Sequence, residues 1–243
     1  MDTVLLKRES RKKLKENYIE IISAMVILYA LGILMVAVSD MMNIPLLSTL
    51  MGLVVSSFVI MGVITMVMKI SKGKKTSLDD LFSKSYLFFK TFVLTFLVCM
   101  IVGIFMFFLG VALYGLYTSS GLWGICSSWV VTFLICLGIV LSMSLLVFTA
   151  YVTLSLSLVY FIYYDNPEMK IIDIIKQSYN LMDGRKLELF IMLFSFMGWF
   201  ILGIFTLGIL YLWLVPYVLV TMASYYNSVK PKAKRGRPKK KVD

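Results

Sequence analysis

Residues 187–227 read LELFIMLFSFMGWFILGIFTLGILYLWLVPYVLVTMASYYN, and after Glu188 no charged residue occurs in the stretch. A membrane-crossing helix needs about 20 apolar residues at about 1.5 Å rise each. This stretch is twice that length. Thr206-Leu207-Gly208 stands at its centre and supplies the turn. The expectation is a hairpin of two membrane helices, 188–205 and 209–227, with both ends on one face. Beyond Asn227 the chain runs straight into its most basic segment.

Outward from the hairpin the same composition continues. The chain has 243 residues, 60% of them hydrophobic, a balance that a lipid-facing shell accounts for and a water-soluble domain does not. The chain has no histidine, so the commonest general base and metal ligand are absent. Cys99, Cys126 and Cys136 lie in apolar runs without CxxC spacing and read as small buried hydrophobes. Neither a nucleophile with a partner base nor a Gly-rich phosphate loop is recognisable. The expectation is a non-enzymatic protein with no cofactor and no metal.

Further spans are expected over 19–38, 46–68, 91–117 and 122–164. The last is some 43 residues without charge, which as one helix would measure roughly 64 Å. It is therefore one long or bent helix, or two segments. Two amphipathic interfacial helices are expected between spans. The first, over 77–90, starts at Thr76-Ser77 with Asp79 and Asp80 in capping positions. The second, over 167–183, takes Asn166 as cap and Pro167 as first residue, and ends at Asp183-Gly184. Residues 1–18 form a basic N-terminus that leads into the first span as its flank, not as a cleavable leader. Residues 228–243 form a disordered basic tail, which leaves 19–227 as the membrane domain. The fold class is all-α, a polytopic membrane helix bundle with about six transmembrane helices.

Charge sets the orientation. Net charge is +11, and the 24 Lys and Arg fall in four segments only: six before Tyr18, six from Lys69 to Lys90, four from Lys170 to Lys186, and eight from Lys230 onward. The other loops have none. By the positive-inside rule both termini and both amphipathic segments share the cytoplasmic face, which requires an even number of crossings. Trp123, Tyr114, Tyr117, Tyr211 and Trp213 are expected at the opposite interface.

Asp165-Asn166-Pro167, Ser178-Tyr179-Asn180-Leu181-Met182-Asp183-Gly184, Phe190, Ser195-Phe196-Met197-Gly198-Trp199, Thr206-Leu207-Gly208-Ile209, Pro216-Tyr217 and Tyr225-Tyr226 form a motif series, to which Asp79-Asp80-Leu81-Phe82 adds a cytoplasmic element. The series resembles a family of bacterial integral membrane proteins known as domain of unknown function 975. The resemblance implies a polytopic fold in a bacterial cytoplasmic membrane and implies no activity.

Two features invite a functional reading. Ser142, Thr149, Thr153 and Ser157 share one helix face. They either wall a cavity for an amphiphilic solute or pack helices through hydroxyl contacts, and packing is the commoner use of hydroxyls in spans. In the tail, Lys234-Arg235-Gly236-Arg237-Pro238-Lys239 resembles an AT-hook, whose arginines lie in the minor groove of A·T-rich DNA. The alternative is a polybasic segment drawn to anionic lipid headgroups, at about 1 kcal/mol per cation near the surface. From Lys230 the tail reaches roughly 45 Å when extended. The leading expectation is an interaction or scaffold protein at the cytoplasmic face, with lipid headgroups or other membrane proteins as partners. The alternatives are a transport or channel component and a membrane tether for DNA.

Overall fold

The computed structural model describes residues 3–41, 45–120 and 128–230. These form ten α-helices joined by short linkers: α1 Thr3–Lys15, α2 Tyr18–Met41, α3 Pro45–Ser71, α4 Phe88–Ser120, α5 Ser128–Leu156, α6 Val159–Asp165, α7 Ile171–Met182, α8 Lys186–Phe194, α9 Met197–Phe205 and α10 Tyr211–Val229. Among the described residues, five stretches are long and apolar enough to cross a membrane: Tyr18–Met35, Leu50–Ser71, Leu78–Gly115, Trp129–Asp165 and Lys186–Phe205. The chain is an all-α membrane bundle. Leu78–Gly115 and Trp129–Asp165 hold 38 and 37 residues, well over one crossing, so their charged ends lie outside the apolar portion.

The bundle is packed unevenly. Residues 61–68 of α3 are buried on every side, whereas residues 51–56 of the same helix are half-buried. The core surrounding 61–71 draws in Leu14, Ile21, Leu81, Leu87, Leu94, the 156–163 corner, Ile174, Met182, Leu189, Val220 and Tyr226. Lys13, Lys69, Arg185 and Lys230, from the four basic segments, bond groups at this core, so we call it the basic end. Away from it α2, α3, α4 and α5 continue as a layer in which each helix touches mainly its chain neighbours. There Phe107 is 68% exposed and Val140 65%, the surface an acyl-chain environment would cover.

Close approach at two glycines shapes the packing. A Cβ on Gly62 would stand 3.1 Å from the Leu81 carbonyl oxygen, so glycine there lets the segment after α3 approach α3 closely. A Cβ on Gly203 would stand 2.3 Å from the Tyr211 ring. That ring closes the terminal hairpin, with its hydroxyl donating to the Phe200 carbonyl at 2.9 Å. At Gly52, Gly103, Gly110 and Gly198 no atom lies within 4 Å of such a Cβ.

Several local expectations are corrected. The segment 77–90 is not one amphipathic helix: it forms two short 3-10 turns, Leu78–Leu81 and Ser85–Leu87, and α4 then begins at Phe88. Asp80 explains the tight turn, because its carboxylate accepts the Ser77 N–H at 3.0 Å and the Thr76 hydroxyl at 2.9 Å. The second interfacial helix starts at Ile171, with Asn166 and Pro167 in the turn before it, and Gly184 follows its end at φ +69°. It buries Ile174, Ser178 and Met182. The long stretch 122–164 breaks at Ser157-Leu158, where the Ser157 hydroxyl donates to the Leu154 carbonyl at 2.7 Å. Cys99 and Cys136 face outward instead of being buried, and Cys126 lies outside the described residues.

The terminal hairpin has its own form. α8 and α9 hold nine residues each, interrupted at Ser195-Phe196. α9 ends in a Schellman arrangement: Gly208 N–H donates to the Gly203 carbonyl at 2.9 Å and Leu207 N–H to the Ile204 carbonyl at 3.1 Å. The left-handed position is held by Leu207, φ +52°, where glycine is usual. A side chain in that conformation costs about 1 kcal/mol.

Candidate functional site at the basic end

Two carboxylates organise the basic end. Asp80 pairs with Lys69 across the turn after α3, in addition to its bonds from Thr76 and Ser77. Burial alone would raise its pKa. The hydrogen bonds from Lys69, Ser77 and Thr76, with the charge of Lys69, outweigh burial and hold the carboxyl below the usual carboxylate range. Asp165, at the end of α6, takes Lys72 on one oxygen at 3.1 Å and Lys230 on the other at 2.7 Å. Burial opposes its ionisation, and the bonds and charges of Lys230 and Lys72 again win, so its pKa is also lowered. Asp165 thus ties the ends of α3, α6 and α10 together.

Other cations cap carbonyls or lie over rings. Lys13 donates to the Ser71 carbonyl at 2.9 Å and Lys84 to the Tyr164 carbonyl at 3.0 Å, while Lys90 bonds the Pro167 carbonyl. Lys84 also stands 3.6 Å from the Tyr164 ring centre, and Lys186 3.5 Å from that of Tyr151. Burial lowers the Lys84 pKa; Asp165 acts against this and Lys72 with it. Asn17 accepts the Thr76 N–H at 3.0 Å, and Asn227 donates to the Ser71 hydroxyl at 2.8 Å. A second set of cations points outward: Arg8, Lys12, Lys15, Lys74, Lys75, Lys170 and Lys176 are exposed, with Glu9, Glu16, Asp79, Glu168 and Asp173 among them.

The hydroxyl stripe is engaged with its own helix. Ser142 and Thr149 are buried and donate to the Gly138 and Leu145 carbonyls, each at 2.8 Å. Ser157 bonds Leu154 at the break, and Thr153 is exposed. Lys234, Arg235, Gly236, Arg237, Pro238 and Lys239 lie outside the described residues, and Lys230 roots the tail at Asp165.

Sequence reasoning did not single out Asp80 and Asp165 as organisers, although both stand in motifs it quoted. Their partners are 11, 93 and 65 residues away, and no local pattern announces such pairs. It also missed Ser178, whose hydroxyl donates to the Ser155 carbonyl at 2.7 Å and fastens α7 to α5. The motif residues collect here: Phe161 stacks on Tyr226, Phe196 meets Tyr217 edge-on, and Tyr217 donates to the Lys7 carbonyl at 3.3 Å.

No curated protein and no solved structure matches the chain. A family model does, over residues 1–233, and by it the chain belongs to the family described as "Protein of unknown function (DUF975)".

Proposed function

We propose that this is a non-enzymatic interaction or scaffold protein of the bacterial cytoplasmic membrane. Both termini are cytoplasmic, and the basic end engages anionic lipid headgroups. The observation that carries the reading is the division of labour among the cations. One set, Lys69, Lys72, Lys84 and Lys230, is engaged inside the fold by Asp80, Asp165 and the Tyr164 carbonyl. A second set, Arg8, Lys12, Lys15, Lys74 and Lys75, is exposed beside that core. The tail adds seven more cations beyond Lys230. Exposed cations at a membrane surface attract anionic headgroups at about 1 kcal/mol each, falling with salt.

The test is lipid selectivity. Full-length protein is extracted from mixed phosphatidylglycerol and phosphatidylcholine membranes and its retained lipid measured by mass spectrometry. Phosphatidylglycerol should be enriched. The enrichment should shrink several-fold in the Arg8→Gln, Lys12→Gln, Lys15→Gln, Lys74→Gln, Lys75→Gln protein and at high salt. Equal retention of the two lipids by the unaltered protein rejects the reading.

A further inference from the structure

We infer that the terminal hairpin, α8 to α10, does not cross the bilayer: it enters and leaves the single leaflet that adjoins the basic end, and its partner is the lipid of that leaflet. A crossing hairpin would carry its turn to the opposite face, level with the far end of α2. With 24 residues, the ends of α2 are about 36 Å apart. The turn is instead level with the beginning of α2. Tyr18 and Ile22, in its first two turns, share one cavity of about 670 Å³ with Phe205, Leu207 and Trp213.

Both arms of the hairpin are fastened to groups of the basic end. Arg185 reaches the Val229 carbonyl at 3.5 Å, Asn227 meets Ser71, and Ser224 meets Ser10 at 3.0 Å. Farther along, Tyr217 bonds the Lys7 carbonyl and Lys7 bonds the Ser195 hydroxyl. Lys7 also stands 4.3 Å from the Phe196 ring centre, and the Arg11 guanidinium 5.6 Å from that of Trp213. Were Ser195, Trp213 and Tyr217 at mid-bilayer, two cations of α1 would be there with them. Trp213, expected on the face away from the basic segments, lies against one of them.

The tip is built to meet acyl chains. Ile201, Ile204, Phe205, Leu207 and Ile209 are all exposed, and Leu207, the most prominent, is 93% exposed. The Arg11 guanidinium, against the Trp213 ring that lines one cavity with Phe205 and Leu207, puts a cation beside this apolar tip. An apolar surface bordered by cations is the pattern of an element lying in the headgroup region with its apolar side in the chains. The even number of crossings is kept, since α2, α3, α4 and α5 make four. The inference goes beyond the proposed headgroup preference and does not depend on it.

Pulsed electron paramagnetic resonance distances test it on the full chain in nanodiscs, with Cys99, Cys126 and Cys136 replaced by serine. One protein carries spin labels at Lys15→Cys and Leu207→Cys, the other at Val38→Cys and Leu207→Cys. The 15–207 distance should be the shorter in both phosphatidylcholine and phosphatidylglycerol discs. Equal distances, or a shorter 38–207 distance, overturn the inference. Ile209→Cys in place of Leu207→Cys repeats the measurement away from the left-handed residue. Loss of lipid selectivity would leave the distance order intact, and a reversed order would leave lipid selectivity intact, so the two readings fail separately.

Discussion

Two of the long apolar hairpins of this chain are alike in composition and are held differently. α4 and α5, of 33 and 29 residues, run unbroken and lie against each other with apolar side chains. Their hydroxyls, Ser142 and Thr149, return to their own carbonyls. The terminal hairpin is broken at Ser195 and again at Leu207. Thr206 and Thr221 return to their own carbonyls there too, but other polar groups reach distant segments: Ser224 to Ser10, Asn227 to Ser71, Tyr217 to Lys7. A hydroxyl satisfied within its helix leaves that helix free to face lipid. A hydroxyl or amide satisfied by a distant segment fixes its helix in the fold. Hydropathy sees both hairpins alike, because it counts side chains and not the partners they bond.

The sharpest way to break the contrast is at the glycines. Gly203→Ala sets a Cβ into the Tyr211 ring and should cost about 1–3 kcal/mol. Gly103→Ala on α4 meets nothing within 4 Å and should gain up to about 1 kcal/mol from helix propensity. Thermal unfolding in detergent should therefore move in opposite directions for the two variants. Equal shifts would mean that the terminal hairpin is as loosely held as the other.

A smaller effect should follow at the carboxylates. Asp80→Ala strips an acceptor from Thr76, Ser77 and Lys69 and should cost about 1–2 kcal/mol at neutral pH. The sign with pH follows from the lowered pKa of Asp80. Its stabilisation is complete above the ordinary carboxylate range and is lost as pH falls through the depressed folded value. Melting temperature measured downward from about pH 6 to pH 3 should drop more steeply for the unaltered protein than for Asp80→Ala. Parallel curves would take Asp80 out of the fold's acid response.

The smallest effect is at the tip. Leu207→Gly relieves a left-handed leucine and should raise stability by about 1 kcal/mol in detergent. The same change removes the most exposed apolar side chain at the tip, so the gain should be smaller in bilayers than in detergent micelles. A gain of the same size in both would show that Leu207 contributes nothing to lipid contact.

Much of the fold is legible without coordinates. The spans at α2 and α3 lie close to where uncharged runs place them, and Gly184 ends α7 because a positive φ is cheapest at glycine. The Ser77-Asp80 spacing was also visible, but it was read as the start of a long helix. Its bonds instead close a 3-10 turn, because the same carboxylate is pulled toward Lys69. The organisers of the basic end were hidden for a related reason. Asp165 is one acid in a boundary segment until Lys72 and Lys230 are brought to it from 93 and 65 residues away.

By itself the sequence determined the solvent. Uninterrupted apolar runs cannot meet their hydration cost outside a bilayer or a core. Tertiary structure alone decided what lies beside what. An even number of crossings is satisfied by four or by six, so charge could not say whether the last hairpin spans. The contacts of Lys7 with Ser195 and of Arg11 with Trp213 bear on that choice, because an ion keeps its surroundings near water and holds whatever it touches there with it.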